Sequence, residues 1–294
     1  MNSAISPTAA PTPAPSHPLA EGLRIFLRNP TAVAGLLLLL AIVAVSVAGP
    51  WIMKADPFEI VAVPLTPPGT PDAWLGTDYM GRDVLVQLVY GGRATLLVGA
   101  VAALLSVLIG ISIGAIAGFH GGAVENLLMR ATEFFQVLPT LLFAMVVTTL
   151  FSPTLATVTV AIGIVSWPNT ARLTRGEFLK FRDVEFVRAE RTIGAGNARL
   201  IWRVILPNVL PPLIVSATLA VGSAILFQAG LSFLGLGDPN EMSWGLIIGG
   251  SRPYVLTSWW AVAFPGLAIF LTVLAVSLVG DGLNDALNPR MRER

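Results

Sequence analysis

Long apolar runs separated by short polar stretches dominate this chain. Six of them approach the ~20 residues that carry a helix across a ~30 Å hydrocarbon layer. They fall at 31–52, 95–119, 127–150, 154–172, 210–236 and 259–280. Hydrocarbon offers the backbone no partner, so each N–H and C=O must be satisfied inside its own segment, and runs of this kind predict helices. The tightest connection is "FSPTL" at 151–155, which leaves few residues to turn between the third and fourth runs. The pattern predicts an all-α membrane protein of six transmembrane helices, and an even number puts both ends of the chain on one side.

Composition agrees, with 54% hydrophobic and 12% charged residues and a mean hydropathy of +0.76. The first twenty residues hold five prolines and no charge, a composition expected to remain disordered. Arg24 and Arg28 then precede the first run as in a signal anchor, too far from the start and too long for a cleaved signal peptide. The expected organisation is a Pro-rich cytoplasmic tail (1–24), a first span with an extracytoplasmic segment (25–94), a five-helix core (95–284) containing a loop at 172–208, and a C-terminal tail (285–294). With the N-terminus cytoplasmic, 14 of the 18 Lys and Arg lie on the cytoplasmic side, while Lys54, Arg82, Arg93 and Arg252 lie opposite. That asymmetry predicts cytoplasmic termini. The net charge of +1 carries no partner signal by itself, and no nucleic-acid partner is expected.

Eight of those basic residues lie between Arg172 and Arg203. Inside this loop Phe186, Val187, Ala189 and Ile193 recur at helical spacing, and Gly194 and Gly196 then interrupt, as glycine does where a helix ends in a left-handed turn. Asn197 is placed to cap a second helix with a stripe of Leu200, Ile201, Val204 and Ile205, and Pro207, Pro211 and Pro212 mark the passage into the fifth span. Two short amphipathic helices meeting at a glycine corner fit either an interfacial pair resting on anionic membrane lipid or a docking knob for another protein.

The stretch Arg188-Ala189-Glu190, Gly194, Ile205-Leu206-Pro207 resembles the cytoplasmic signature of the integral-membrane permease subunits of ABC importers: EAA, three residues, G, about nine residues, then I-x-L-P. Arg188 stands where Glu is usual and Glu190 where Ala is usual. The segments "WLGTDYMGRDVLVQLVYGGR" (74–93), "SWPNTARLTRGEFL" (166–179), "LSFLGLG" (231–237), "SWGLIIGGSRPY" (243–254) and "GDGLNDALNPRMR" (280–292) are similar to the dipeptide/oligopeptide/nickel branch, in its C-type subunit. The resemblance implies a type I ABC importer permease fold and one half of a heterodimeric pore for di- or oligopeptides, with nickel and glutathione importers as relatives. A B-type permease would supply the other half, two ABC ATPase subunits would carry ATP-Mg, and an extracytoplasmic solute-binding protein would deliver cargo. Glu185, Arg188, Ala189, Glu190, Gly194, Ala195, Ile205 and Pro207 would then couple the spans to the ATPases. The acidic residues of the outer segments, Asp56, Glu59, Asp72, Asp78, Asp83, Asp238 and Glu241, would face either the binding protein or solvent.

Catalytic chemistry is hard to find. There is no G-x-x-x-x-G-K-[ST] loop, no cysteine, and only His17 and His120, so phosphate cradling, thiol catalysis and a histidine zinc site have no residues to use. No cofactor is expected in this chain. Asp281, in a Gly-Asp-Gly stretch, is expected to cap a helix end, because no second intramembrane aspartate faces it. Arg130 and Glu133 are spaced to pair. Gln228, deep in the fifth run, fits either a helix contact or a place on a translocation path. An ion-coupled secondary transporter would require mid-span carboxylates and internal repeats, which the sequence lacks.

Overall fold

The computed structural model of the chain describes residues 18–71 and 73–287. Asn29 starts the first long helix, α2 (Pro30–Met53): its Oδ1 accepts from the backbone N–H groups of Thr31 and Ala32 at 3.1 and 3.3 Å, and Pro30 occupies a position whose N–H would be unused in any case. The eleven residues before it form α1 (Pro18–Arg28). Phe26 of α1 is buried against Ala32 and Ala286, and Asn29 Nδ2 donates to Asp285 Oδ2 at 3.1 Å, tying the two ends of the chain together. Residues 18–24, expected in a disordered tail, are therefore helical because Phe26 gives this segment an apolar anchorage. The rest of the Pro-rich stretch lies outside the described residues.

The other helices are α3 (Val84–His120), α4 (Gly122–Val137), α5 (Thr140–Leu150), α6 (Leu155–Phe181), α7 (Glu185–Thr192), α8 (Asn197–Phe233), α9 (Trp244–Ser251) and α10 (Trp260–Leu287). Among the described residues, α2, α3, α8 and α10 are long and apolar enough to cross a membrane. Only 17 to 33% of each spanning stretch is buried in the chain, so most of its apolar surface faces outward, as a lipid or subunit boundary requires.

Not every expected run forms one straight helix. The third expected run is broken into α4 and α5, bent by 85°, because Pro139 disfavours helical backbone at Leu138, which is extended (φ −69°, ψ 129°). Counting the bent pair as one span gives five. The fourth expected run lies in α6, whose 27 residues are long enough but whose length is interrupted by Ser166, Asn169, Arg172 and Arg175.

α6 is nevertheless well enclosed, packed along α3 more extensively than any other helix pair. Gly110, Gly114 and Gly118 of α3 face Thr170, Ala171, Thr174 and Phe178, and an added Cβ at Gly118 would stand 2.7 Å from Phe178 Cβ. Glycines four apart leave a groove in one helix into which the backbone of the other settles. Arg175 of α6 pairs with Glu125 of α4, whereas Arg130 and Glu133 form no ion pair among the described residues. At the far end Asp281 is an exposed residue inside α10. It caps nothing, because the helix continues for six residues past it, held by the packing of Gly282 on Ala32 and Phe26.

Residues 54–71 and 73–83 are irregular, with three isolated bridges among the described residues, Ile60 with Arg82, Thr70 with Ala73 and Thr77 with Asp83. Their organiser is Asp78, 3% exposed, which accepts from Met80 N, Arg82 N and Gln87 Nε2 at 2.8 to 2.9 Å. Trp260 Nε1 donates to Thr77 O at 3.0 Å and pins this segment to α10. Asp83 caps α3 through Leu85 N; burial pushes its carboxyl above the usual range, against the pull of the Leu85 and Val86 backbone groups. Asp56 accepts from Phe58 N, and Asp238 from Leu155 N and Asn240 N. Much of the acidity expected on an outward rim is thus engaged with neighbouring backbone, and Asp72 lies outside the described residues.

Candidate functional site

The loop between α6 and α8 is anchored by a few buried side chains, Val187 in α7 and Leu200, Ile201 and Ile205 at the start of α8. Val187 is fully buried against Phe119, Phe178, Leu200, Ile201 and Ile205, so the ends of α3 and α6 form the floor on which α7 and the start of α8 rest. Phe186, Ala189 and Ile193, expected on the same stripe as Val187, face outward instead, Ile193 with 76% of its surface free. This eight-residue helix buries Val187 and leaves most of its other positions exposed.

Gly194 ends α7 with φ +91°. Its N–H donates to Arg191 O at 3.1 Å and the Ala195 N–H to Glu190 O at 3.0 Å, the paired bonds of a Schellman turn, which needs a left-handed residue at this position. Gly196 is the residue that flanks α8, and Asn197 is already its first helical residue, without a side-chain cap. α8 is not a separate short helix either, since it runs unbroken into the apolar span. Leu200–Ile205 adopts a π-helical turn, in which Leu206 N donates to Ile201 O. The wider turn makes room ahead of Pro207, which has no N–H to donate and whose ring would press on the carbonyl of residue 203 in a regular helix.

The signature residues therefore divide. Glu185, Arg188, Ala189, Gly194 and Pro207 are exposed, Ala195 is half-buried, and Ile205 is fully buried as the anchor beneath them. Glu190 leans away from Arg188, with Oε2 3.3 Å from Arg199 Nη2 of α8. Arg191 lies over the Phe119 ring at 5.8 Å. The outcome is a basic and apolar knob rigidly continuous with a 37-residue helix.

A cavity of about 570 Å³ opens among α3, α4, α5, α6 and α8. Its wall mixes apolar groups such as Phe135, Val165 and Phe227 with Ser106, Gln136, Thr140, Ser166, Asn169, Arg172, Ser216 and Ser223. Gln228 does not line it: that side chain is 2% exposed and donates to Ser232 of its own helix at 3.1 Å. In the sequence Arg172 counts only as a loop charge, and Ser166 and Asn169 are passed over, although their spacing of three places all of them along one side of α6. Hydropathy averaging hid them, and the bend at Pro139 that brings Gln136 opposite them has no periodic signal.

Residues 110–293 match the family described as binding-protein-dependent transport system inner membrane component, and residues 17–68 match the N-terminal TM domain of oligopeptide transport permease C. The chain is 40% identical to the di/tripeptide transport system permease protein DppC of Pseudomonas aeruginosa, over 98% of this chain and 97% of that protein. It is 41% identical to the dipeptide transport system permease protein DppC of Escherichia coli, with 96% of each covered. Among solved structures, an inward-facing form of the MetNI methionine ABC transporter superposes with a TM-score of 0.59 at 19% identity, over 70% of this chain and 98% of that one; at that identity the likeness establishes the fold alone.

Proposed function

The chain belongs to the binding-protein-dependent transport system inner membrane components, and from that premise we propose that it is the C-type permease subunit of an ATP-driven dipeptide importer. As a member of this family it is a transport subunit and not itself the ATPase. The observation that carries the dipeptide reading is 40% identity over 98% of the chain to a di/tripeptide permease. In this reading α6 crosses the membrane as a sixth span, its polar side facing the cavity rather than lipid, and the bent α4–α5 pair counts as one span. Both termini are cytoplasmic in the inner membrane, and a B-type permease completes the pore.

The knob at 185–207 is the coupling element. ATP-Mg in two separate ATPase subunits would move it, and the unbroken helix from Asn197 to Phe233 would carry that movement into the span. A π-turn fixed by Leu200, Ile201 and Ile205, all buried, makes this connection stiffer than a hinged linker. The 570 Å³ cavity is this chain's part of the translocation path, and an extracytoplasmic binding protein loads it from the other side.

The test is reconstitution. The chain alone should hydrolyse no ATP; with its B-type partner, ATPase subunits and binding protein in proteoliposomes, it should take up radiolabelled dipeptide in an ATP-dependent manner. ATP hydrolysis by the isolated chain, or failure of the assembled complex to take up di- or tripeptides, would overturn this reading.

A further inference from the structure

We infer that Arg172 contacts the carboxylate of the peptide as it passes through the cavity. The inference rests on the reading of that cavity as part of the translocation path. Arg172 is the one charged side chain among the residues lining it, and no Asp or Glu joins it there. Its Nη1 donates to Gln136 Oε1 at 2.8 Å, and Gln136 Nε2 donates to Asn169 Oδ1 at 3.1 Å. The guanidinium is thereby oriented from α4 and from its own helix by neutral groups, which set its direction without cancelling its charge.

The contrast with neighbouring cations matters. Arg175, Lys180 and Arg182 are paired with Glu125, Glu177 and Asp183, while Arg172, like Arg188, Arg191 and Arg203, has no carboxylate partner among the described residues; of these four, Arg172 is the one that lines the cavity. Arg172 is exposed where it lines the cavity, so its charge stays available to a ligand there. Its planar fork matches a carboxylate, which can accept two parallel N–H bonds from it. A second observation at the same wall points to unmet hydrogen-bonding capacity: Ser106, 1% exposed, lines the cavity and its Oγ has no partner. A peptide at neutral pH carries a carboxylate at one end and an ammonium at the other. Arg172 donates to the first, repels the second, and so orients the peptide relative to α6.

The experiment uses the full complex in proteoliposomes with its binding protein, supplying a dipeptide or its C-terminal amide at concentrations that saturate that protein. Arg172→Gln should lower peptide transported per ATP roughly tenfold for the free acid, and Arg172→Lys should recover part of the loss. Subunit assembly and ATP hydrolysis stimulated by the binding protein should stay at the parent level, and amide uptake should be unchanged. Loss of acid and amide uptake alike, as expected if Arg172 only contacted lipid phosphate or braced α4, would overturn the assignment. So would an equal fall in uptake and ATP hydrolysis, or no effect at all. A parent complex that transports no peptide would instead overturn the functional reading, and this inference with it.

Discussion

At the scale of single residues, Gly194 governs the geometry of the knob. A Cβ there would meet nothing within 4 Å, so any penalty is purely conformational, on the order of 1–2 kcal/mol at φ +91° and larger for a β-branched side chain. Gly194→Val should misdirect the corner between α7 and α8 while leaving insertion untouched. In the reconstituted complex, peptide-stimulated ATP hydrolysis should fall several-fold at unchanged membrane level, and Gly194→Asn, which tolerates left-handed backbone, should retain most of it. Coupling by the Val variant equal to the parent would remove the corner as a transmission element and favour a lipid-surface role for the loop. Arg188→Glu alters an exposed charge, so its effect should be smaller.

At the scale of elements, the seam between α3 and α6 holds the cavity wall in place. Gly114 meets Ala171 O and Thr174, and Gly118 meets Phe178 and Arg175; the obstacles include backbone atoms, which cannot swing aside. Gly114→Val should cost about 1–3 kcal/mol or more, seen as a lower thermal midpoint and a reduced monodisperse peak when the detergent-extracted chain is followed by size-exclusion chromatography. Gly266→Ala in α10, where an added methyl meets nothing within 4 Å, should be neutral or gain up to about 1 kcal/mol from helix propensity. Equal losses from the two variants would show that the seam is not what stabilises the pair. The glycine spacing of four is visible in "GISIGAIAG", yet only the packing of α6 identifies the face it serves.

For the whole molecule, orientation is the property that charge alone addresses. The chain has no cysteine, so single introduced thiols report cleanly. Asp78 is buried and unsuitable, but Asn240 and Asn197 are exposed. In sealed right-side-out vesicles an impermeant maleimide should label Asn240→Cys at once and Asn197→Cys only after the membrane is opened. Labelling of Asn197→Cys in sealed vesicles would reverse the topology.

Hydrophobic runs by themselves determined that α2, α3, α8 and α10 are spanning helices, because lipid imposes one requirement, about twenty apolar residues, that no tertiary contact can relax. The glycine at 194 by itself marked the corner, since a left-handed turn is a local demand on one residue. Everything that depended on what lies opposite a residue was decided by the tertiary structure. The polar side of α6 is affordable because it faces a cavity and α3 rather than lipid. Asp78 is an internal clamp because Gln87 of α3 reaches it, and the amphipathic start of α8 is one helix with its span because a π-turn absorbs Pro207. Arg172 is set apart from the other arginines of its loop by the cavity it lines, and a cavity assembled from several helices has no pattern along the chain.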